Sequence, residues 1–328
     1  MLIQREELPL DQHPAAVYLA SLSVRSRRTI GHDLNVIARL VSGDRCDAFT
    51  LDWGALRYAH TAAVRAALAA RYSHTGANRM LSALRGVLKA AWRLGQIEDR
   101  EYQRAIDIPT VKGQSLPRGR ALSGGELRAL FQVCAADAVT TAATDAKPAR
   151  SRAQSGGARD AALLAVLYGA GLRRSEVVAL DCKDYDTQTG TITVRSGKGN
   201  KDRIGYATHG SRRAIEAWLV RRAEQVGQLA GPLFLPMTKN GRLQARRMTD
   251  QNVLAILTKR ARQAGLAHVS PHDLRRTFIS DLLDAGADIA TVQKLAGHAN
   301  VSTTASYDRR GEAAKLKAAE LLHVPFAG

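Results

Sequence analysis

Cysteine is scarce. The 328-residue chain carries three, Cys46, Cys134 and Cys182, far apart and without paired spacing. That excludes a disulfide framework, suits a reducing compartment, and leaves three core-filling thiols as the plain reading. Acidic residues are also short, 30 Asp and Glu against 48 Lys and Arg, giving a formal charge of +18 and a pI near 10.4. This imbalance favours a polyanionic partner, nucleic acid first and an acidic membrane surface second. No apolar run approaches the roughly 20 residues that cross a bilayer, and the opening MLIQREELPL lacks the apolar stretch of a secretory signal. A cytoplasmic protein is expected. No internal repeat is visible. What is present is enough chain and, at 45% hydrophobic content, enough apolar material for two cores.

Residues 14–106 read as helices separated by short polar breaks. In TGANRMLSALRGVLKAAWRLG, Leu81, Leu84, Leu88 and Trp92 recur at helical spacing beside a basic row of Arg85, Lys89 and Arg93. Thr75 suits an N-cap and Gly95 a stop. The basic row is either an ordinary solvated face or a face turned to a DNA groove. DIPTVKGQSLPRGRALS, residues 107–123, has two prolines, two glycines and no apolar period, so a linker is expected at 109–122 between a helical domain, 1–108, and a second domain, 123–328. The second domain opens on a helix capped by Ser123. A small, polar stretch at about 137–159 follows and reads as a mobile surface insertion. A buried helix ending at YGAG comes next, then a helix starting near Arg173 and Arg174. DCKDYD, GTITVRS and KDRIGYAT predict three short antiparallel strands, with GKGN as a hairpin turn holding Lys198. The rest is helical apart from the apolar PLFLP. In TDQNVLAILTKRARQAG, Val253, Ile256 and Leu257 can pack while Lys259, Arg260 and Arg262 stay free for phosphates.

In SPHDLRRTFISDLLDAG, Ser270 can cap, Pro271 suits the first helical position, Asp273 favours the positive dipole end and Gly286 ends the run. Leu274, Phe278 and Leu282 form its buried face. His272 and Arg275 project from one face near the N-terminus, where free N–H groups favour an anion. Gly297 ends the next helix just before His298, and a polar stretch leads to Tyr307. A lone tyrosine is ordinarily a surface phenol and a lone histidine a partly buried polar group. Together the residues make a different case. Attack of a phenol on a phosphodiester builds negative charge on the non-bridging oxygens. Arginines can clamp these in a fork, a lysine can protonate the leaving 5′-oxygen, and histidines can take the phenolic proton or donate to phosphate. The order GxxxxGK followed by Ser or Thr is missing, which argues against a nucleotide loop. His272, His298 and the cysteines form no zinc spacing, so no metal and no cofactor is expected.

GLRRSEVVAL, SGKGNKDR, SPHDLRRTF, KLAGH and VSTTASYDRR, in this order and spacing, resemble the catalytic boxes of the tyrosine recombinases, or phage integrase family. The match is specific over 158–310 and looser over the helical region before the linker. The resemblance implies a mainly α protein: an N-terminal four- or five-helix core DNA-binding domain, and an α+β catalytic domain of helices with a small sheet. It implies that Arg173 and Arg275 clamp the scissile phosphate, Lys198 is the general acid, and Tyr307 the nucleophile. His272 would assist proton transfer at Tyr307, His298 would hydrogen-bond phosphate, and Glu176 would steady the site. Lys201 is the competing lysine; Lys198 holds the turn tip and the family position. Arg276 stands where a second histidine often follows, the insertion is longer than usual, and there is no room before residue 14 for an added arm-binding domain. The implied partners are double-stranded DNA, wrapped by a clamp with Asn78, Arg79, Arg85, Lys89, Arg93, Lys259, Arg260 and Arg262 as candidate contacts, and further copies of the chain in a tetramer, with a second recombinase or accessory protein left open. A membrane is not among them. A type IB topoisomerase and a DNA-binding protein with a decayed site are the rival readings. The residues flanking Tyr307 read as a mobile, DNA-facing tether.

Overall fold

The computed structural model describes residues 8–113, 119–139, 147–195, 202–227, 230–308 and 319–320, with backbone alone at 25 and 147–152. The chain divides into two compact units, Met1–Leu116 and Pro117–Gly328.

The first unit contains α1 (Pro14–Ala20), α2 (Val24–Ser42), α3 (Tyr58–Arg71), α4 (His74–Arg93) and α5 (Asp99–Ile106) among its described residues. α4 is its axis, and α1, α2, α3 and α5 all pack against it. Its leucines explain why: Leu81, Leu84 and Leu88 are fully buried, each worth about 1.5–3 kcal/mol of apolar burial. Gly86 is needed at the α1 crossing, since a Cβ there would run into the Tyr18 ring. The helix begins earlier than Thr75 suggests, because Ser73 Oγ accepts the Gly76 amide at 3.3 Å and caps it. Trp92 does not join the leucine face; it is partly exposed and stacks on Tyr102 with centroids 5.1 Å apart. The segment after α5 is held to this unit, with Arg65 Nε donating to the Pro109 carbonyl at 2.7 Å and Asn78 exchanging two hydrogen bonds with the Val111 backbone.

The second unit runs α6 (Gly124–Ala138), α7 (Lys147–Leu164), a π turn (Ala165–Gly169), α8 (Arg174–Ala179), β1 (Thr191–Val194), β2 (Arg203–Tyr206), α9 (His209–Val226), α10 (Asp250–Gln263), α11 (Pro271–Asp284), α12 (Ile289–Ala296) and α13 (Val301–Ala305). Helices dominate and the sheet is small, as expected, but it has two strands rather than three among the described residues. β1 and β2 are antiparallel, with Thr191 opposite Tyr206 and Val194 opposite Arg203. DCKDYD instead forms a 3-10 turn at Cys182–Asp184, leaving isolated bridges from Asp181 to Pro232 and from Tyr185 to Ile192. Asp184 Oδ2 accepts the Asp181 amide at 2.9 Å, and such a local side-chain bond competes with strand pairing.

The expected surface insertion is a second correction. From Lys147 the chain is helical, and Ser155, Gly156, Gly157, Ala158, Arg159 and Asp160 are buried; 140–146 lie outside the described residues. Small residues here mark a helix crossing, not a solvent loop. Gly157 faces the backbone of Cys134 and Ala138 on α6 so closely that no Cβ fits. Leu130, Leu163, Leu167, Ile215, Trp218, Leu257 and Leu274 belong to the main core, while Phe278, Ile279, Leu283, Val292, Ala296 and Tyr307 form a smaller cluster where α11 meets α12.

Arg260 also departs from expectation. It is not free for phosphate: at 1% exposure its guanidinium bonds the buried Asp160 at 2.8 Å and Asp137 at 2.5 Å. Desolvating that cation is tolerable only because carboxylates meet it inside the fold.

Candidate active site

α8 begins one residue after Arg173 because Arg173 is its N-cap and Glu176 returns to the cap, its Oε2 accepting the Arg173 amide at 2.8 Å. The same carboxylate organises two side chains. Its Oε1 accepts Arg173 Nη1 at 2.7 Å and its Oε2 accepts Arg203 Nη2 at 2.7 Å. Burial pushes the Glu176 carboxyl up, but the bonds from Arg203 and then from Arg173 outweigh it, and the net pKa lies below the ordinary carboxylate value.

α12 ends against these groups. Gly297 takes the left-handed conformation, φ 62°, at its C-cap, and the terminal carbonyls are satisfied from outside the helix. Arg173 Nη2 donates to Gly297 O at 2.6 Å, Arg203 Nε donates to Leu295 O at 3.2 Å, and Arg275 Nη2 donates to Ala296 O. A helix C-terminus is a sensible anchor for cations, since its carbonyls carry the negative end of the dipole.

α11 supplies the next side chains. Ser270 and Asp273 form the expected capping box, with Pro271 at the first helical position. Arg275, 3% exposed, also donates to Gly171 O. Burial, and then the charge of Arg173, pull its pKa down to about 9, so it stays cationic at neutral pH. Arg173, Arg203 and Arg275 thus cluster around one carboxylate, Glu176, among the described residues. That excess of positive charge, held by backbone carbonyls and not by further acids, is suited to a bound anion.

Tyr307 is buried, at 8% exposure, and is not a surface phenol. Its carbonyl accepts Ser280 Oγ at 3.3 Å, and its hydroxyl lies 3.3 Å from His272 Nε2. The Arg276 guanidinium sits over its ring, 5.0 Å from the centroid, and the His298 ring is 6.1 Å away. Partial desolvation, and then the charges of Arg276 and Arg275, hold His272 below the ordinary imidazole pKa. His298 is pushed down to about 4, first by burial and then by Arg275 and Arg173. Both rings are therefore neutral at pH 7. His298 Nδ1 is 2.9 Å from Thr304 Oγ1, and Thr304 is fully buried. The residues before Tyr307, expected as a mobile, DNA-facing tether, form the short helix α13, whose Ser302, Thr303, Ala305 and Ser306 are exposed while the buried Thr304 orients a site histidine; Arg309 and Arg310 lie outside the described residues.

Of the catalytic residues expected from sequence, Arg173, His272, Arg275, His298 and Tyr307 come together with Glu176. Lys198 and its competitor Lys201 lie outside the described residues. Arg203 and Thr304 were missed; the only sequence signals were an arginine just after the GKGN turn and a threonine in a polar run. Among the expected DNA contacts, Lys89, Arg93, Lys259 and Arg262 are exposed. Arg79 is bidentate on the buried Asp33 at 2.7 and 2.8 Å, and Arg85 donates to the Ile106 and Ile108 carbonyls.

Comparison with known proteins agrees with this geometry. Residues 136–313, more than half of the chain, match the phage integrase family. Tyrosine recombinase XerD of Mycobacterium leprae is 36% identical over 238 residues, 70% of this chain and 68% of the relative. Tyrosine recombinase XerA of Thermococcus kodakarensis is 32% identical over 260 residues, 79% of this chain and 80% of the relative. In fold the chain is similar to the Tn1549 transposon integrase solved with circular intermediate DNA, at TM-score 0.62 and 18% identity over 95% of this chain and 99% of that one. It is also similar to the XerH recombinase bound to palindromic difH substrate, at TM-score 0.59 and 20% identity over 92% and 80%. A two-unit helical chain with an arginine pocket around a buried tyrosine, matched in this way, belongs to the phage integrase family, the tyrosine recombinases.

Proposed function

We propose that this recombinase cuts and rejoins duplex DNA at specific sites through a covalent 3′-phosphotyrosine on Tyr307. The phenolic oxygen attacks phosphorus, the bond to the 5′-oxygen breaks, and the departing 5′-hydroxyl takes a proton from Lys198. His272 accepts the phenolic proton, for which its neutral imidazole and its 3.3 Å approach to the hydroxyl suit it. Arg173 and Arg275 meet the charge that develops on the non-bridging oxygens. With Nδ1 turned to Thr304, a neutral His298 offers Nε2–H to the phosphate. The phosphotyrosine conserves the energy of the phosphodiester, so a 5′-hydroxyl from the partner strand reverses the step and reseals the DNA without ATP.

The observation that carries this reading is the buried phenol against a neutral histidine beside an arginine pocket. The DNA complexes of the Tn1549 integrase and of XerH support duplex DNA as the partner. The first unit then acts as the core DNA-binding domain and the second as the catalytic domain. Four protomers on two sites exchange strands in pairs through a Holliday junction in the nucleoid, and the tail after residue 311, which apart from 319–320 lies outside the described residues, has the role of joining neighbours; a truncation there that still assembles a synaptic tetramer would contradict that role. Its specific relatives disfavour a type IB topoisomerase. The test is a nicked suicide duplex. Wild type forms a covalent adduct and Tyr307→Phe forms none; an adduct that survives the substitution removes Tyr307 as nucleophile.

A further inference from the structure

Arg203 is a partly buried cation that the mechanism above leaves without a task. It opens β2, the strand that follows the segment bearing Lys198. Its side chain is 11% exposed and makes two bonds at once, Nη2 to Glu176 Oε2 at 2.7 Å and Nε to Leu295 O at 3.2 Å. The chain is shaped around it. A Cβ on Gly297 would fall 2.8 Å from Arg203 Cδ and 3.0 Å from Nε, closer than a side chain allows. That same Gly297 offers its carbonyl to Arg173.

We propose that Arg203 is a positioning residue for the phosphate clamp: it locks the Glu176 carboxylate and the end of α12 together, so that the two groups holding Arg173, Glu176 and the Gly297 carbonyl, are fixed relative to each other. Arg203 acts through Glu176 and touches no substrate. Lysine cannot replace it, because one ammonium does not reproduce a fork that reaches a carboxylate and a carbonyl in different directions. Misplacing a clamp by about 1 Å costs on the order of 100-fold in rate. Removing Arg203 also leaves burial to act on Glu176 with only Arg173 bonded to it and Arg275 nearby, so its pKa rises. The carboxylate is then protonated at a higher pH, and cleavage is lost earlier on acidification.

The inference rests on the proposed cleavage reaction, and one experiment separates the two. Single-turnover adduct formation on a nicked suicide duplex is measured against pH, alongside DNA affinity, for wild type, Arg203→Lys, Arg203→Ala, Glu176→Gln and the Arg203→Ala/Glu176→Gln double variant. If wild type forms no adduct, the cleavage reading fails. If it does, both Arg203 variants are expected to slow about 10- to 100-fold with DNA affinity nearly unchanged. The double variant should be no slower than the worse single one, the acid limb of Arg203→Ala should move to higher pH, and added guanidinium should restore part of its rate. Independent, multiplying losses for Arg203 and Glu176, or an Arg203→Lys enzyme as fast as wild type, would overturn the proposal. Should Arg203→Ala not fold, Arg203→Lys and its pH profile decide the matter.

Discussion

Two neutral histidines beside several arginines set the pH behaviour of the site. A base must be unprotonated, so cleavage is lost as pH falls through its folded pKa, and for His272 that value is depressed by partial desolvation and by Arg276 and Arg275. The acid fall of adduct formation is therefore expected to have its midpoint below 6.5, the ordinary imidazole value; a midpoint above 6.5 would show that His272 is not the base. The same sign holds for stability at His298. The unfolded ring takes a proton near 6.5 while the folded ring does so at about 4, so acidification through that window favours unfolding. His298→Gln should flatten the fall of the urea midpoint between pH 6.5 and 4. That Arg173, His272, Arg275, His298 and Tyr307 gather in one place was legible in the sequence because the boxes hold their type and order. Arg203 and Thr304 were not: they bond Glu176 and His298, and such contacts exist only after distant segments fold together.

Helices were read well where an apolar stripe and a cap agree, as in α11, where Ser270, Pro271 and Asp273 announce its start. They were misread where the helix packs by small residues. α7 packs by Gly157 against α6, by Gly156 against Met237 and by Ser155 against Gln225 of α9, and the composition of this run imitates a loop. Gly157→Leu is accordingly expected to force α6 and α7 apart and cost about 1–3 kcal/mol by urea denaturation, whereas a solvent loop would accept it. Arg260 tests the same crossing from α10. Arg260→Ala takes one of two guanidinium partners from Asp160, which is 1% exposed and keeps Arg159 at 2.8 Å, with an expected loss of about 1.5–3 kcal/mol. Arg262, two residues on and exposed, should tolerate alanine with little change in stability. The third strand failed for a comparable reason, since alternation alone does not reveal that Asp181 and Asp184 bond within their own turn.

The net charge of +18 predicted a polyanionic partner, but charge counts every cation alike, and the fold does not. Arg260 is buried and neutralised inside the second unit, and Arg79, itself half exposed, is paired with the buried Asp33 of the first, whereas Lys89 and Lys259 stand exposed. Only cations that reach phosphate release counterions when DNA binds, and each one contributes about 0.9 to the slope of log affinity against log salt. Lys89→Ala and Lys259→Ala are therefore expected to lower that slope by about 1 each and to weaken binding to all duplex sequences alike. A change in site preference without a change in slope would mean that these lysines read bases and do not hold the backbone. Arg260→Ala, if its destabilised fold persists at low temperature, should leave the slope unchanged, because its charge never faced the DNA.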